Sequence, residues 1–346
     1  MTLDERKQKV LQAIIKDYIS SAEPVGSRTI AKRYDLGVSP ATIRNEMADL
    51  EELGYIEQPH TSAGRIPSDR GYRYYVDCLM KKKQLTQNEE KIILSGYRAK
   101  VRDIGEVLRQ TNRIMSNITN YTSIVTGPQF NKSSLRHVQL AGLDGSKALV
   151  VVVADNGMAQ TKIIDLPQSI DEIDLQKISQ VMNAKLQGLS LEYIKLTLIN
   201  EIYSELSKHQ HIFNAAMDLI QETLDLDHDE KVYLAGTLNM LNQPEFRDIK
   251  KVKTLLSLLE QENVLRDILS ETVYDEDGIH VTIGGENKVE ELQGCSTITA
   301  TYQINGMVIG SVGVIGPTRM DYEKAVSIVD FMTLHLSQIV KDFYGR

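Results

Sequence analysis

The run Ser39-Pro40-Ala41-Thr42-Ile43-Arg44-Asn45, followed by His60-Thr61-Ser62 and Arg65, gathers side chains suited to reading a duplex. An arginine guanidinium donates twice to a guanine edge, and an asparagine amide pairs with adenine. Arg44 and Asn45 are therefore the candidate base readers, although a phosphate contact or a bridge to a nearby acid would equally occupy Arg44. Ser39, Ala41 and Thr42 complete the set on the same segment. His60, Thr61, Ser62 and Arg65, with neighbouring backbone N–H groups, suit phosphates or the adjoining minor groove.

Such groups work only if a helix and a loop hold them side by side. Val10, Leu11, Ile14, Ile15 and Tyr18 predict an amphipathic helix over 3–20. Ser27 is placed to cap a second, short helix. Ser39 caps a third, with Pro40 at its first position, where a missing N–H costs nothing. At 100° per residue, Ile43, Met47 and Leu50, with Leu53 near them, form an inward stripe. Ala41, Arg44, Asn45 and Ala48 form the opposite side. A helix with that small, polar outer side fits a groove about 12 Å wide. Gly54 ends it, and Tyr55–Gln58 and Arg65–Pro67 read as strands around the tip 59–64. Helix, turn, helix and hairpin make a winged helix, so the predicted partner is double-stranded DNA.

Other chemistries find little support. Asp225, Asp227, His228, Asp229 and Glu230 lack the glycine and distal glutamate of a calcium loop, and His209 and His211 fall on different helix faces, so no metal is expected. Gly142–Lys147 lacks the order of a phosphate loop and reads as a hairpin turn. Gly310, Gly313 and Gly316 miss the dinucleotide fingerprint and suit close strand packing. No Ser/His/Asp or Cys/His set lies near a recognisable motif. Neither catalytic residues nor a cofactor are expected, and the chain reads as a non-enzyme.

The net charge of −8 speaks against general nucleic-acid affinity, but it is unevenly spread. Residues 1–83 carry 14 Lys+Arg against 12 Asp+Glu, so any basic surface is local to the N-terminal part. Lys81, Lys82 and Lys83 either follow the DNA backbone or form a solvated helix end. Cys78 and Cys295 are the two cysteines of the chain, far apart and in different predicted domains, so no disulfide framework is expected, which fits a reducing cytoplasm. The N-terminus lacks an apolar signal segment, and the aliphatic run 148–154 is strand-length, far short of a membrane helix.

Ser68 caps a further helix, and an amphipathic stretch covers roughly 86–120. Strands follow between 121 and 166, mostly helices between 190 and 270, then strands from Ile279 and a final helix from about Asp321 to Phe343. An insertion into an α/β sensor-like domain accounts for that order, and two separate α/β domains are the competing division.

The stretches VSPATIRNEMADLEELGYIEQPHTSAGRIPSDRGYRYYVD and GSVGVIGPTRMDYEKAVSIVDFM resemble the heat-inducible transcription repressor family HrcA, over nearly the whole chain. The resemblance implies an α+β multidomain protein: an N-terminal winged helix (1–80), a linker (81–100), a GAF-like α/β domain (101–198 and 273–346), and a helical dimerising domain (199–272) inserted into it. It further implies a homodimer on an inverted-repeat operator upstream of chaperone operons, with activity tied to temperature and to the GroEL chaperonin. The competing reading is a small-molecule-sensing regulator acting through the GAF-like domain. A chaperonin-associated adaptor, or an enzyme with a vestigial winged helix, is a third.

Overall fold

The computed structural model describes residues 3–60, 63–97, 104–127, 134–143, 146–155, 159–166, 170–190, 193–194, 196–206, 210–225, 231–270, 278–304 and 306–344. The chain divides into two compact units, one of residues 1–127 and 232–340, the other of 128–231 with 341–346.

The first unit begins with α1 (Glu5–Ser21), whose N-terminus is capped by Asp4 accepting from the Lys7 amide. Next come α2 (Ser27–Arg33) and α3 (Pro40–Glu52). Gly26, rather than the expected Ser27, sits at the start of α2, and no side chain caps it there. Ile30 from α2, Ile43, Met47 and Leu50 from α3, and Val10, Leu11, Ile14 and Ile15 from α1 are all buried, forming one small core. Leu53 departs from its expected side and is 36% exposed. It lies one residue beyond the helix, where the chain turns through Gly54 at φ +77°. β1 (Ile56–Glu57) and β2 (Ile66–Pro67) pair antiparallel, Ile56 opposite Pro67. Ser68 caps α4 (Asp69–Tyr74), which runs on into a single π-type turn, Tyr75–Leu79.

Gly71 on α4 packs so closely on the Tyr55 carbonyl that a Cβ would overlap backbone atoms. Gly71→Ala is therefore expected to destabilise the winged helix by about 2–3 kcal/mol, seen as a lower denaturation midpoint. An unchanged midpoint would show that this contact is loose.

The expected helix over 86–120 is two helices, α5 (Gln87–Gly96) and α6 (Ile104–Thr119). After β3 (Thr122–Thr126) the chain leaves this unit and returns at β7 (Val232–Ala235). α10 (Ile249–Leu259), α11 (Glu262–Ser270), β8 (Ile279–Ile283), β9 (Cys295–Ile304), β10 (Met307–Pro317) and α12 (Tyr322–Tyr344) follow. Five strands form a sheet in the order β7-β3-β10-β9-β8, every pair antiparallel. Ile124 and Ile315 of the sheet share a core with Leu255, Leu258, Leu265 and Leu269 of α10 and α11. Gly310 leaves room for the Tyr302 ring, whose hydroxyl donates to the Thr126 carbonyl at 2.8 Å. Both cysteines are free, and burial pushes the Cys295 thiol up to about 12.

The second unit is a three-stranded antiparallel sheet, β4 (Leu135–Gly142), β5 (Lys147–Ala154) and β6 (Ala159–Asp165), with α7 (Glu172–Leu186), α8 (Leu196–Glu205) and α9 (Gln210–Asp225). Val138, Val150 and Val152 pack with Ile178, Met182 and Leu186 of α7, Ile202 of α8, and Phe213 and Ile220 of α9. That single cluster lies across residue 199, the boundary the resemblance implies between the GAF-like and dimerising parts. The inserted segment of the fold is 128–231, and β7, inside the expected helical region, is an edge strand beside β3. His209, Asp227, His228, Asp229, Glu230, Asp144 and Gly145 lie outside the described residues.

Candidate nucleic-acid interface

Ser39 fixes where the third helix begins, its hydroxyl accepting from the Thr42 amide at 3.2 Å and lying 3.0 Å from the Thr42 hydroxyl. Both hydroxyls are thus engaged in the cap. Periodicity then sorts the helix: Ile43, Met47 and Leu50 are buried, whereas Ala41, Arg44, Asn45 and Ala48 are exposed. The two alanines keep the outer surface flat beside the long Arg44 and the short Asn45 amide. Neither of those side chains has a partner among the described residues.

One inward residue escaped the pattern. Glu46 lies on the apolar stripe and is 9% exposed. A buried carboxylate needs a cation, and Lys7 on α1 supplies it at 2.9 Å, with Arg6 at 3.5 Å. Lys7 also reaches Asp49 at 3.0 Å and Asp4 at 3.1 Å, and these carboxylates hold its ammonium well above the usual lysine range. A glutamate three residues after Ile43 and four before Leu50 was the available signal.

On the wing, His60 is exposed and its carbonyl accepts from the Ala63 amide at 2.9 Å. Thr61 and Ser62 lie outside the described residues. Arg65 is not at the tip: it stands at the wing's root and points its guanidinium at Glu51 of α3. The structure therefore brings Ser39, Ala41, Thr42, Arg44 and Asn45 onto one helix, with His60 and Arg65 on the adjoining hairpin. Lys81, Lys82 and Lys83 are exposed outside any helix, and Lys82 pairs with Asp330 at 2.9 Å.

The rest of the first unit grips this domain at several places, among them α4 and the end of α1, and Glu323 takes both the Tyr75 hydroxyl at 2.8 Å and Lys16 at 3.1 Å. On α4, Asp69 accepts from the Gly285 amide at 2.8 Å, and Arg73 forks Glu286 and donates to the Val281 carbonyl. On α1, the Ile19 carbonyl accepts from Arg319 at 2.6 Å. Burial alone would raise the Glu286 carboxyl, but Arg73 and the Ile283 N–H hold it below the ordinary glutamate value. A carboxylate lowered on folding stabilises the folded form above its ordinary value, and this contribution is lost as pH falls through the lowered one. Hydrogen exchange in α4 is accordingly expected to accelerate below about pH 4, and Glu286→Gln should remove that dependence. Identical profiles for parent and variant would exclude the contact as its source.

A capped helix with a bare polar face, carried on two helices and flanked by a hairpin, defines a winged-helix domain of the kind that enters a DNA groove. Residues 2–76 match the family model described as the winged helix-turn-helix transcription repressor, HrcA DNA-binding, and residues 105–326 match the HrcA protein C terminal domain. The heat-inducible transcription repressor HrcA of Pelotomaculum thermopropionicum is 58% identical over 99% of this chain and 98% of its own length. That of Desulforamulus reducens is 55% identical over 98% and 97%. The chain belongs to the HrcA family of heat-inducible transcription repressors, a non-enzymatic class. A crystal structure of a hypothetical protein shares its fold, at a TM-score of 0.64 and 24% identity over 99% of both chains. Among the described residues no helix is long and apolar enough to cross a membrane, and no group of three His, Cys, Asp or Glu side chains is placed to hold a metal.

Proposed function

We propose that this repressor acts in the cytoplasm as a homodimer, each copy laying α3 in a major groove of an inverted-repeat operator upstream of chaperone operons. Arg44 and Asn45 read base edges. Ser39, Ala41 and Thr42 seat the helix, and His60, Thr61 and Ser62 serve the flanking backbone, while Arg65 stands at the wing's root against Glu51. The observation that carries the reading is the bare outer face of α3 directly opposite its buried stripe. Two-fold symmetry then requires a palindromic site. Heat acts by lowering the fraction of native dimer, and the GroEL chaperonin by raising it, since only the native form binds operator. The test compares an inverted-repeat duplex with a scrambled one at moderate salt. Tighter binding of the repeat is expected, and equal affinity rejects the reading.

The discontinuous unit takes the GAF-like part and the 128–231 unit the dimerising part. Supporting the latter, β5 turns Val150 and Val152 inward, leaving Leu149, Val151 and Val153 half-buried on the other face beside Ile163, which is 60% exposed. Ile163→Glu should weaken self-association by about 2 kcal/mol over two copies, roughly thirtyfold, measured by sedimentation. An unchanged dimer constant would place the interface elsewhere.

A further inference from the structure

The wing's root is tied to the recognition helix through a charged side chain that a sequence reading assigns to DNA. Arg65 Nε donates to Glu51 Oε2 at 2.8 Å, and Nη2 lies 2.7 Å from the same oxygen. Glu51 follows Arg44 by two helical turns, within about 20° of its direction around α3. An unpaired carboxylate there would face the phosphates of any duplex that Arg44 reads, and repel them.

The backbone fixes the same point. Arg65 and Val25 exchange hydrogen bonds in both directions, at 2.8 and 2.9 Å, joining the root of the wing to the turn between α1 and α2. Gly64 sits so tightly against this turn that a Cβ would stand 2.5 Å from the Val25 carbonyl oxygen. On the other side Arg70 donates to the Leu53 carbonyl at 2.9 Å and lies over the Tyr55 ring. The hairpin leaves this frame in one direction, set relative to α3.

Resting on the assignment of α3 to the major groove, we propose that Arg65 and Glu51 are positioning residues. They form one device that aims the wing and cancels the Glu51 charge, and the Arg65 guanidinium neutralises no phosphate. Geometry favours this over direct contact, since the Nε–Nη2 edge that would fork an anion is already committed to Glu51 and the Arg65 side chain is only 22% exposed.

The experiment uses the full-length chain and three variants, Glu51→Gln, Arg65→Gln and the double variant. It measures operator affinity against salt, backbone protection at the wing's flank, and thermal midpoint. Each single variant is expected to bind about tenfold more weakly, and the double variant no more weakly than either single one, because both changes disable one device. Wing-flank protection is lost in all three while the thermal midpoint holds within a few degrees. Protection at the flank is the readout that loss of fold stability alone would not move. The proposal is overturned if Glu51→Gln binds as tightly as the parent or tighter while Arg65→Gln flattens the salt slope by about one phosphate. Full affinity in all variants overturns it equally. A parent that fails to bind the inverted repeat would instead reject the assignment of α3, so the two failures are separable.

Discussion

Replacing Arg44 and Asn45 together with alanine is expected to abolish specific operator binding and leave the fold intact. A good bidentate base contact discriminates by about 1–3 kcal/mol. Losing two amounts to roughly 2–6 kcal/mol, and a central fall of about a thousandfold in operator affinity. Both side chains are exposed on α3 and lack partners within the described protein, so the denaturation midpoint should hardly move. Binding to scrambled DNA should fall far less, because phosphate contacts supply that term. The measurement is a pair of titrations, operator and scrambled duplex, for parent and variant at one salt concentration. Survival of operator binding and repression in the double variant would mean that α3 does not read the groove.

Arg319→Ala is expected to loosen the winged helix from the unit that carries it. The Arg319 side chain is only 11% exposed. Nε donates to Glu245 at 2.6 Å and Nη1 to the Ile19 carbonyl at 2.6 Å, while Nη2 reaches Gln243 at 3.3 Å. Removing the guanidinium leaves a part-buried carboxylate and a helix-end carbonyl unsatisfied. Breaking such a pair costs about 3–5 kcal/mol where burial is complete, and we take the lower end because Glu245 keeps 25% exposure. A loss of about 3 kcal/mol would lower the midpoint of a unit this size by roughly 6–12 °C. Arg319→Lys should recover only part, since an ammonium cannot fork a carboxylate and reach a carbonyl at once. Operator release on warming should move down with the midpoint. If unfolding stays where it was while release shifts, the contact sets geometry rather than stability.

The winged helix was legible because its signals are local. Ser39 with Pro40, the spacing of Ile43, Met47 and Leu50, and the glycine after Leu53 lie within one short run and need no distant partner. Glu46 and Glu51 were missed for the opposite reason. Their partners, Lys7 and Arg65, come from other elements, so their spacing looks like ordinary surface charge. The alternation of β4 to β6 was equally plain, whereas β7 was not. Four residues carry too little pattern, and Val232–Ala235 becomes a strand because β3 offers an open edge.

The sequence by itself determined the elements with strong caps and clear periods, above all α3 and the division of its two sides. Hydrogen-bonded turns and amphipathic stripes are properties of neighbouring residues, so they are written in order along the chain. Only the tertiary structure decided which helices joined β4 to β6, and therefore that the segment 128–231 is a body of its own. It alone turned Arg65 from the wing toward Glu51. Apolar burial is non-directional and charges pair with whatever folding brings near, so neither choice is encoded in the order of types along the chain.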